Sequence, residues 1–238
     1  MRPAYKVLFA LLVFSGIAGC AAPGASPPVA GPRPAPAYER LPPEEAARQF
    51  TRVVDAIEPV AEAECRARAP ALGCDYRIVV DTRTELPPNA FQTMDDVGRP
   101  VIGFTIAMVG EVRNADELAF VMAHEAAHHI RAHIPRQRRN ATAGAILMGG
   151  LAALSGADGA GIRSAQDLGA SVGARSYSKE FELEADSLGT VIAARAGFDP
   201  LRGAEFFTRI PDPGNRFLGT HPPNAARIAV VRRRAAGL

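Results

Sequence analysis

The sequence has 238 residues, with 27 Lys and Arg, 25 Asp and Glu, and 47% hydrophobic residues. That length fits one ordinary domain with a tail, and the apolar content is that of a chain with a core, which excludes wholesale disorder. The excess of two positive charges is matched by Arg2 and Lys6; without residues 1–19 the chain is neutral, so charge offers no reason to expect nucleic-acid binding.

Arg2 and Lys6 precede an uncharged, mostly apolar run from Val7 to Ala18. As a helix it would span about 18 Å, against a hydrocarbon core of about 30 Å. That is too short to cross a membrane and right for a signal-peptide core. The run ends Ile17-Ala18-Gly19-Cys20, which resembles a bacterial lipobox. Residues 1–19 therefore read as a lipoprotein signal peptide and Cys20 as a lipidated new N-terminus; the alternative is an ordinary secretory signal with an incidental Cys. Ala21 and Ala22 lack the acid that often retains lipoproteins at the inner membrane. The resemblance thus implies an anchor on the periplasmic side of the outer membrane. From Ala21 to Pro43 there are eight prolines and few large apolar side chains. Residues 20–43 are expected to be an extended tether, reaching roughly 70 Å. In an exported chain the remaining pair, Cys65 and Cys74, reads as a disulfide. Two separate buried thiols are the alternative.

The third segment, residues 44–238, carries the globular pattern. Phe50, Val53, Val54, Ile57 and Val60 recur at helical spacing within Glu44–Ala69, where Pro59 is expected to kink or divide the helix. Tyr76–Asp81, Ala90–Met94 and Pro100–Met108 read as strands. Asn114 caps a helix, with Glu117 in capping-box position, and Pro135 should stop it after about His133. Ala141–Ala157 carries no charge. It reads as a close-packed internal helix or loop, with a membrane re-entry as the alternative. Ser178 caps a helix ending near Gly197, Asp199-Pro200 opens another, and Asn224–Arg234 forms a last, basic one. The sum is an α+β domain, mostly helical, with a small sheet.

Chemistry is carried by His124-Glu125-Ala126-Ala127-His128. Four helical residues turn about 400°, so His124 and His128 share a face one turn apart. Two neutral imidazoles there can bind one zinc ion, and Glu125 can reach water beside it as a base that stays off the metal. A third ligand is sought in Ser178–Gly189, where Glu180, Glu182, Glu184 and Asp186 are crowded together. Glu182 and Asp186 share a face, so one can ligate while the other supports a ligand histidine. Glu180 and Glu184 form a second such pair.

HEAAH followed by Phe181-Glu182-Leu183-Glu184-Ala185-Asp186 resembles the HtpX-like and CAAX-prenyl-endopeptidase-type zinc metalloproteases, which are gluzincins. Further likenesses are Asn89-Ala90-Phe91, the lead-in from Asn114, Ala196-Gly197-Phe198-Asp199-Pro200, and Thr220-His221-Pro222-Pro223 with Arg227. Together they span about residues 44–235. The resemblance implies a zincin-type fold with the sheet beside the HExxH helix and one Zn2+ per chain. It assigns His124, His128 and Glu182 as ligands, Glu125 as catalytic base and Asp186 as supporting acid. Long membrane-spanning helices of the embedded relatives are missing from the pattern, so the exported branch is implied and a prenylated substrate is not.

The expected activity is that of a zinc-dependent endopeptidase of the bacterial envelope. Its expected partners are misfolded or unassembled envelope polypeptides, with membrane contact through the lipid and no nucleic acid. Substrate is expected along Ala90–Met94 or Val101–Ile106 as an edge strand. His221 is a candidate for the oxyanion or for the open metal position. His129 should pack away from the metal, His133 should be solvated, and Arg227 should bind either a substrate carbonyl or a structural acid. Two other readings stand: a non-proteolytic, chaperone-like outer-membrane assembly lipoprotein using the same groove, and a peptidoglycan-associated scaffold.

Overall fold

The structure is a computed structural model and describes residues 40–216 and 219–238. The signal peptide, Cys20 and most of the Pro-rich tether lie outside the described residues. Helix α1 (Pro43–Arg68) opens on prolines, where a missing N–H costs nothing, with Glu44 and Glu45 in its first turn. It runs through Pro59 undivided. Its apolar face, Val53, Ile57 and Ala61, is sealed from solvent. Cys65 at its end is disulfide-bonded to Cys74.

Three short strands follow, β1 (Arg77–Asp81), β2 (Ala90–Met94) and β3 (Pro100–Thr105). Their order is β1-β3-β2, with β1 parallel and β2 antiparallel to β3. In register, Ile102 pairs with Ile78 on one side and Gln92 on the other. Every residue of β3 is buried. Being paired on both sides, β3 is no edge, which removes Val101–Ile106 as a docking strand. The strand also ends earlier than expected: the Thr105 hydroxyl accepts from the Met108 amide at 3.2 Å and starts α2 (Ile106–Glu111).

Helix α3 (Ala115–Ile130) is the core of the domain. The Asn114 side chain accepts from the Glu117 amide at 3.0 Å, and the Glu117 carboxylate accepts from the Arg113 amide at 2.8 Å. Glu117 is buried against Arg209, with both N···O distances 2.6 Å. Leu118, Ala119, Met122, Ala123, Ala126 and Ala127 leave almost no surface on the helix. Each large apolar side chain buried here contributes about 1.5–3 kcal/mol.

The helix ends earlier than expected. Ala132 has φ 54°, the left-handed region, and separates α3 from α4 (His133–Leu154). Pro135 then sits in the first turn of α4, where its missing N–H is harmless, instead of terminating α3. Helix α5 (Gly159–Arg175), with no sequence counterpart in the expected elements, folds back along α4. Gly144 and Gly169 lie so close that a Cβ on either would strike the other's backbone. The charge-free stretch is therefore not internal. It is the second half of α4 in a helical hairpin, close-packed toward α5 at Gly144 and Gly149, and Ile146, Leu147, Leu151 and Leu154 face solvent. Among the described residues no helix is long and apolar enough to cross a membrane.

Helix α6 (Ser178–Arg195) crosses α3 and ends at Gly197 with φ 88°. Its Gly189 lies against the backbone of His124; a Cβ there would sit 3.1 Å from the His124 Cα and N atoms. This close approach sets the distance between the two motif helices. Helix α7 (Pro200–Gly203), capped by Asp199, leads into a 3-10 turn (Ala204–Thr208), and α8 (Asn224–Ala235) closes the core with Val231 and Arg227. The fold is the mostly helical α+β, zincin-type arrangement with a small sheet beside the HExxH helix.

Candidate metal centre

His124, His128 and Glu182 each direct one ligand atom into a common space, with all three atoms within 4.8 Å of one another. The two Nε2 atoms are 3.0 Å apart, and the Glu182 oxygens lie 3.6 Å from His124 Nε2 and 3.4 Å from His128 Nε2. Three donors on a tetrahedron around zinc, with bonds of about 2.0–2.1 Å, stand about 3.3 Å apart. The chemistry of the set, two imidazoles and one carboxylate, and its spacing both fit zinc. Burial alone pushes the Glu182 carboxyl up, but the His128 contact and the charges of His124 and Arg227 outweigh it and hold it well below the usual carboxylate range. The group is thus anionic at neutral pH, as a carboxylate that is to hold a metal must be.

Asp186, one turn after Glu182, is fully buried, and its Oδ1 lies 3.0 Å from His124 Nδ1. A proton on Nδ1 donated to this carboxylate leaves Nε2 as the free lone pair facing the cluster. Arg227 closes the other side of Asp186, with Nε and Nη2 each 2.7 Å from a carboxylate oxygen, and its guanidinium lies 4.0 Å from the centre of the Phe207 ring. Of the two roles open to Arg227, its geometry is that of a partner to a structural acid. Its Nη2 also stands 3.5 Å from Glu182.

Glu184 does not join the cluster. It faces the other way, accepting from Arg136 at 2.6 and 3.2 Å and standing 3.2 Å from His133 Nε2. Glu180 is exposed. His133, expected in solvent, is 4% exposed; the left-handed turn at Ala132 folds it onto His128, with the two Nδ1 atoms 2.8 Å apart. Burial and the neighbouring His128 push its pKa down to about 4. His129 stays outside the cluster as expected, buried with Nε2 2.7 Å from the Gly73 carbonyl and its ring edge-on to Tyr76. The sequence signal that would have found His133 is its place two residues before Pro135, since a proline in a first helical turn marks a new helix.

The cluster lies at the bottom of a cleft of about 750 Å³. Glu125 lines it beside His124, and β2 contributes Ala90, Phe91 and Gln92 to its wall. Gly103 on β3 leaves the space that the Phe91 ring fills. Phe120, Phe206 and Phe207 give the other wall an apolar surface. His221 stands at the rim, about half exposed, with Nδ1 2.9 Å from the Thr220 hydroxyl and Nε2 3.9 Å from Glu182.

Comparisons with known proteins agree with this geometry. The sequence profile of peptidase family M48 matches residues 47–235. A putative beta-barrel assembly-enhancing protease of Vibrio cholerae is 37% identical over 136 residues, covering 52% of this chain and 28% of that protein. The beta-barrel assembly-enhancing proteases of Escherichia coli K12 and Yersinia pestis are 33% and 32% identical over 144 residues, covering 51% of this chain and 28% of theirs. The chain thus spans little more than a quarter of the length of these relatives. With a His-His-Glu cluster at the bottom of a cleft and a profile match over most of its length, the chain belongs to peptidase family M48 and carries a gluzincin-type metalloprotease domain related to those of the beta-barrel assembly-enhancing proteases.

Proposed function

We propose that the protein is a zinc-dependent endopeptidase of the bacterial envelope. The observation that carries this reading is the meeting of His124, His128 and Glu182 in one cleft that Glu125 also lines. A zinc ion held by these three groups would supply the positive charge that acidifies water and polarises a carbonyl. Glu125 takes the proton from the attacking water and passes it to the leaving amine nitrogen. Asp186, through His124 Nδ1, keeps one ligand in the right tautomer. His221 is positioned by Thr220 to donate toward the developing oxyanion, and its nearness to Glu182 also suits a resting contact with the metal. Unchanged turnover and zinc affinity in His221→Ala would remove both roles.

Substrate lies extended along β2, the sheet edge that lines the cleft, gaining main-chain hydrogen bonds there while apolar side chains enter the phenylalanine-lined wall. An unfolded segment meets that requirement and a folded domain does not. The relatives' description as assembly-enhancing proteases of beta-barrels supports unassembled envelope polypeptides as the substrate class. Residues 1–19 are the signal peptide, Cys20 the lipid anchor at the outer membrane's periplasmic face, residues 20–43 the tether and 44–238 the catalytic domain.

The test is casein cleavage and zinc content, measured side by side for the purified protein and its Glu125→Gln variant. One zinc per chain in both with cleavage by the parent alone is expected. Cleavage by the variant at the parental rate would overturn the role of Glu125. One zinc in both and no cleavage of casein or of an unassembled outer-membrane protein would overturn the proteolytic reading.

A further inference from the structure

The two candidate histidine ligands are supported differently. His124 Nδ1 meets the Asp186 carboxylate directly. Among the described residues His128 Nδ1 meets no carboxylate; it meets the Nδ1 of another imidazole, that of His133, at 2.8 Å. Two nitrogens at that distance share one proton. If His128 carries it, His128 Nε2 is left as a lone pair facing His124 and Glu182, as a metal ligand requires. His133 Nδ1 is then the acceptor, which places the His133 proton on Nε2. That atom stands 3.2 Å from Glu184 Oε2, an acceptor in the matching position. Every proton in the chain has one consistent place.

The rest of the surroundings hold this array still. Arg136 grips Glu184 from the far side at 2.6 and 3.2 Å. The Phe181 ring lies parallel to His133 at 4.6 Å, and the Arg136 guanidinium lies 4.2 Å from the centre of the Phe181 ring. The backbone is built for the contact. In a continuous helix a residue five positions on is rotated by about 140° from the first and cannot touch it. The left-handed Ala132 breaks α3 and returns His133 to the His128 ring. On α6, Glu184 lies about 200° around from Glu182, so it cannot reach the metal ligands itself. His133 spans that gap.

We propose that His133 is a positioning residue that, backed by Glu184 and Arg136, fixes the tautomer and ring orientation of His128 and thereby sets the metal affinity of the site. The proposal rests on the reading of His128 as a zinc ligand. It extends the support of that ligand through an imidazole to a carboxylate on the opposite face of α6.

The test is the zinc dissociation constant, by chelator competition, for the parent and for His133→Phe, His133→Asn and Glu184→Gln, together with imidazole nitrogen spectra of the zinc-loaded protein. His133→Phe keeps a ring to stack on Phe181 and removes the acceptor; a 10–100-fold loss of zinc affinity is expected. His133→Asn restores an acceptor oxygen near the position of Nδ1 and should recover most of it. In the parent, the His128 proton should be found on Nδ1. If His133→Phe fails to fold, Glu184→Gln decides: removing the anion at the partly exposed end of the array should weaken zinc binding several-fold without loss of fold. Zinc affinity within twofold of the parent in the folded variants, or a His128 proton on Nε2, would overturn the proposal. His128→Ala separates the two readings: full zinc affinity in that variant would show that the ligand assignment failed.

Discussion

Asp186 and Arg227, 41 positions apart in the sequence, form a two-pronged pair with both N···O distances 2.7 Å and neither side chain open to solvent. The pair joins α6 to α8 directly behind His124. Removing one partner leaves an uncompensated buried charge, so Arg227→Met should cost about 3–5 kcal/mol. Urea unfolding of the metal-free protein measures it.

The same pair makes stability depend on pH. Burial by itself raises the Asp186 carboxyl, but hydrogen bonds from Arg227 and His124 outweigh it and hold the carboxyl below its usual value. A depressed folded-state pKa contributes stability above the unfolded value of about 3.9 and loses it as pH falls toward the folded value. The stability gap between the metal-free parent and Asp186→Asn should therefore be widest above about pH 4 and shrink in more acid solution. Denaturant titrations across that range report the gap directly.

Gly189 lets α6 approach the backbone of His124. Gly189→Leu must push α3 and α6 apart. A loss of about 1–3 kcal/mol or more is expected, with weaker zinc binding because Glu182 moves away from the histidines. Thermal unfolding with and without zinc separates the two effects.

Ala132 occupies the left-handed region, which costs an L-residue about 1–2 kcal/mol relative to glycine. Ala132→Gly should keep the turn and gain part of that back, reduced by the freedom glycine restores to the unfolded chain. A rise in the thermal midpoint with zinc affinity retained is the expected result.

The Cys65–Cys74 disulfide closes a loop whose ends are nine positions apart. Loop-closure entropy for that span gives about 2–3 kcal/mol, lost on reduction. Denaturation with and without reductant checks the figure. In contrast Leu154, 88% exposed at the end of α4, should be replaceable by Gln within about 0.5 kcal/mol.

The parts legible in the sequence are those fixed by local rules. Asn114 caps α3, Asp199-Pro200 starts α7 and Gly197 ends α6, each because one residue type satisfies one backbone need. The four-residue spacing of His124 and His128 and of Glu182 and Asp186 fixes which side chains share a face. What was not legible depends on contacts distant in sequence or on a conformation no residue type announces. Ala132 gives no hint of a positive φ, so Pro135 reads as the stop for α3, and His133 reads as solvated. The glycines of α4 read as an internal segment because the partner they approach, α5, has few large apolar residues to mark it. The sequence leaves Arg227 two roles, binding a substrate carbonyl or a structural acid, and only packing brings Asp186 to it.

The most direct test of the central claim is metal analysis of the purified protein combined with diffraction at the zinc absorption edge. The account predicts one zinc per chain, bonded at about 2.0–2.1 Å to His124 Nε2, His128 Nε2 and a Glu182 oxygen. A folded protein that binds no zinc, or binds it away from these three residues, would contradict it.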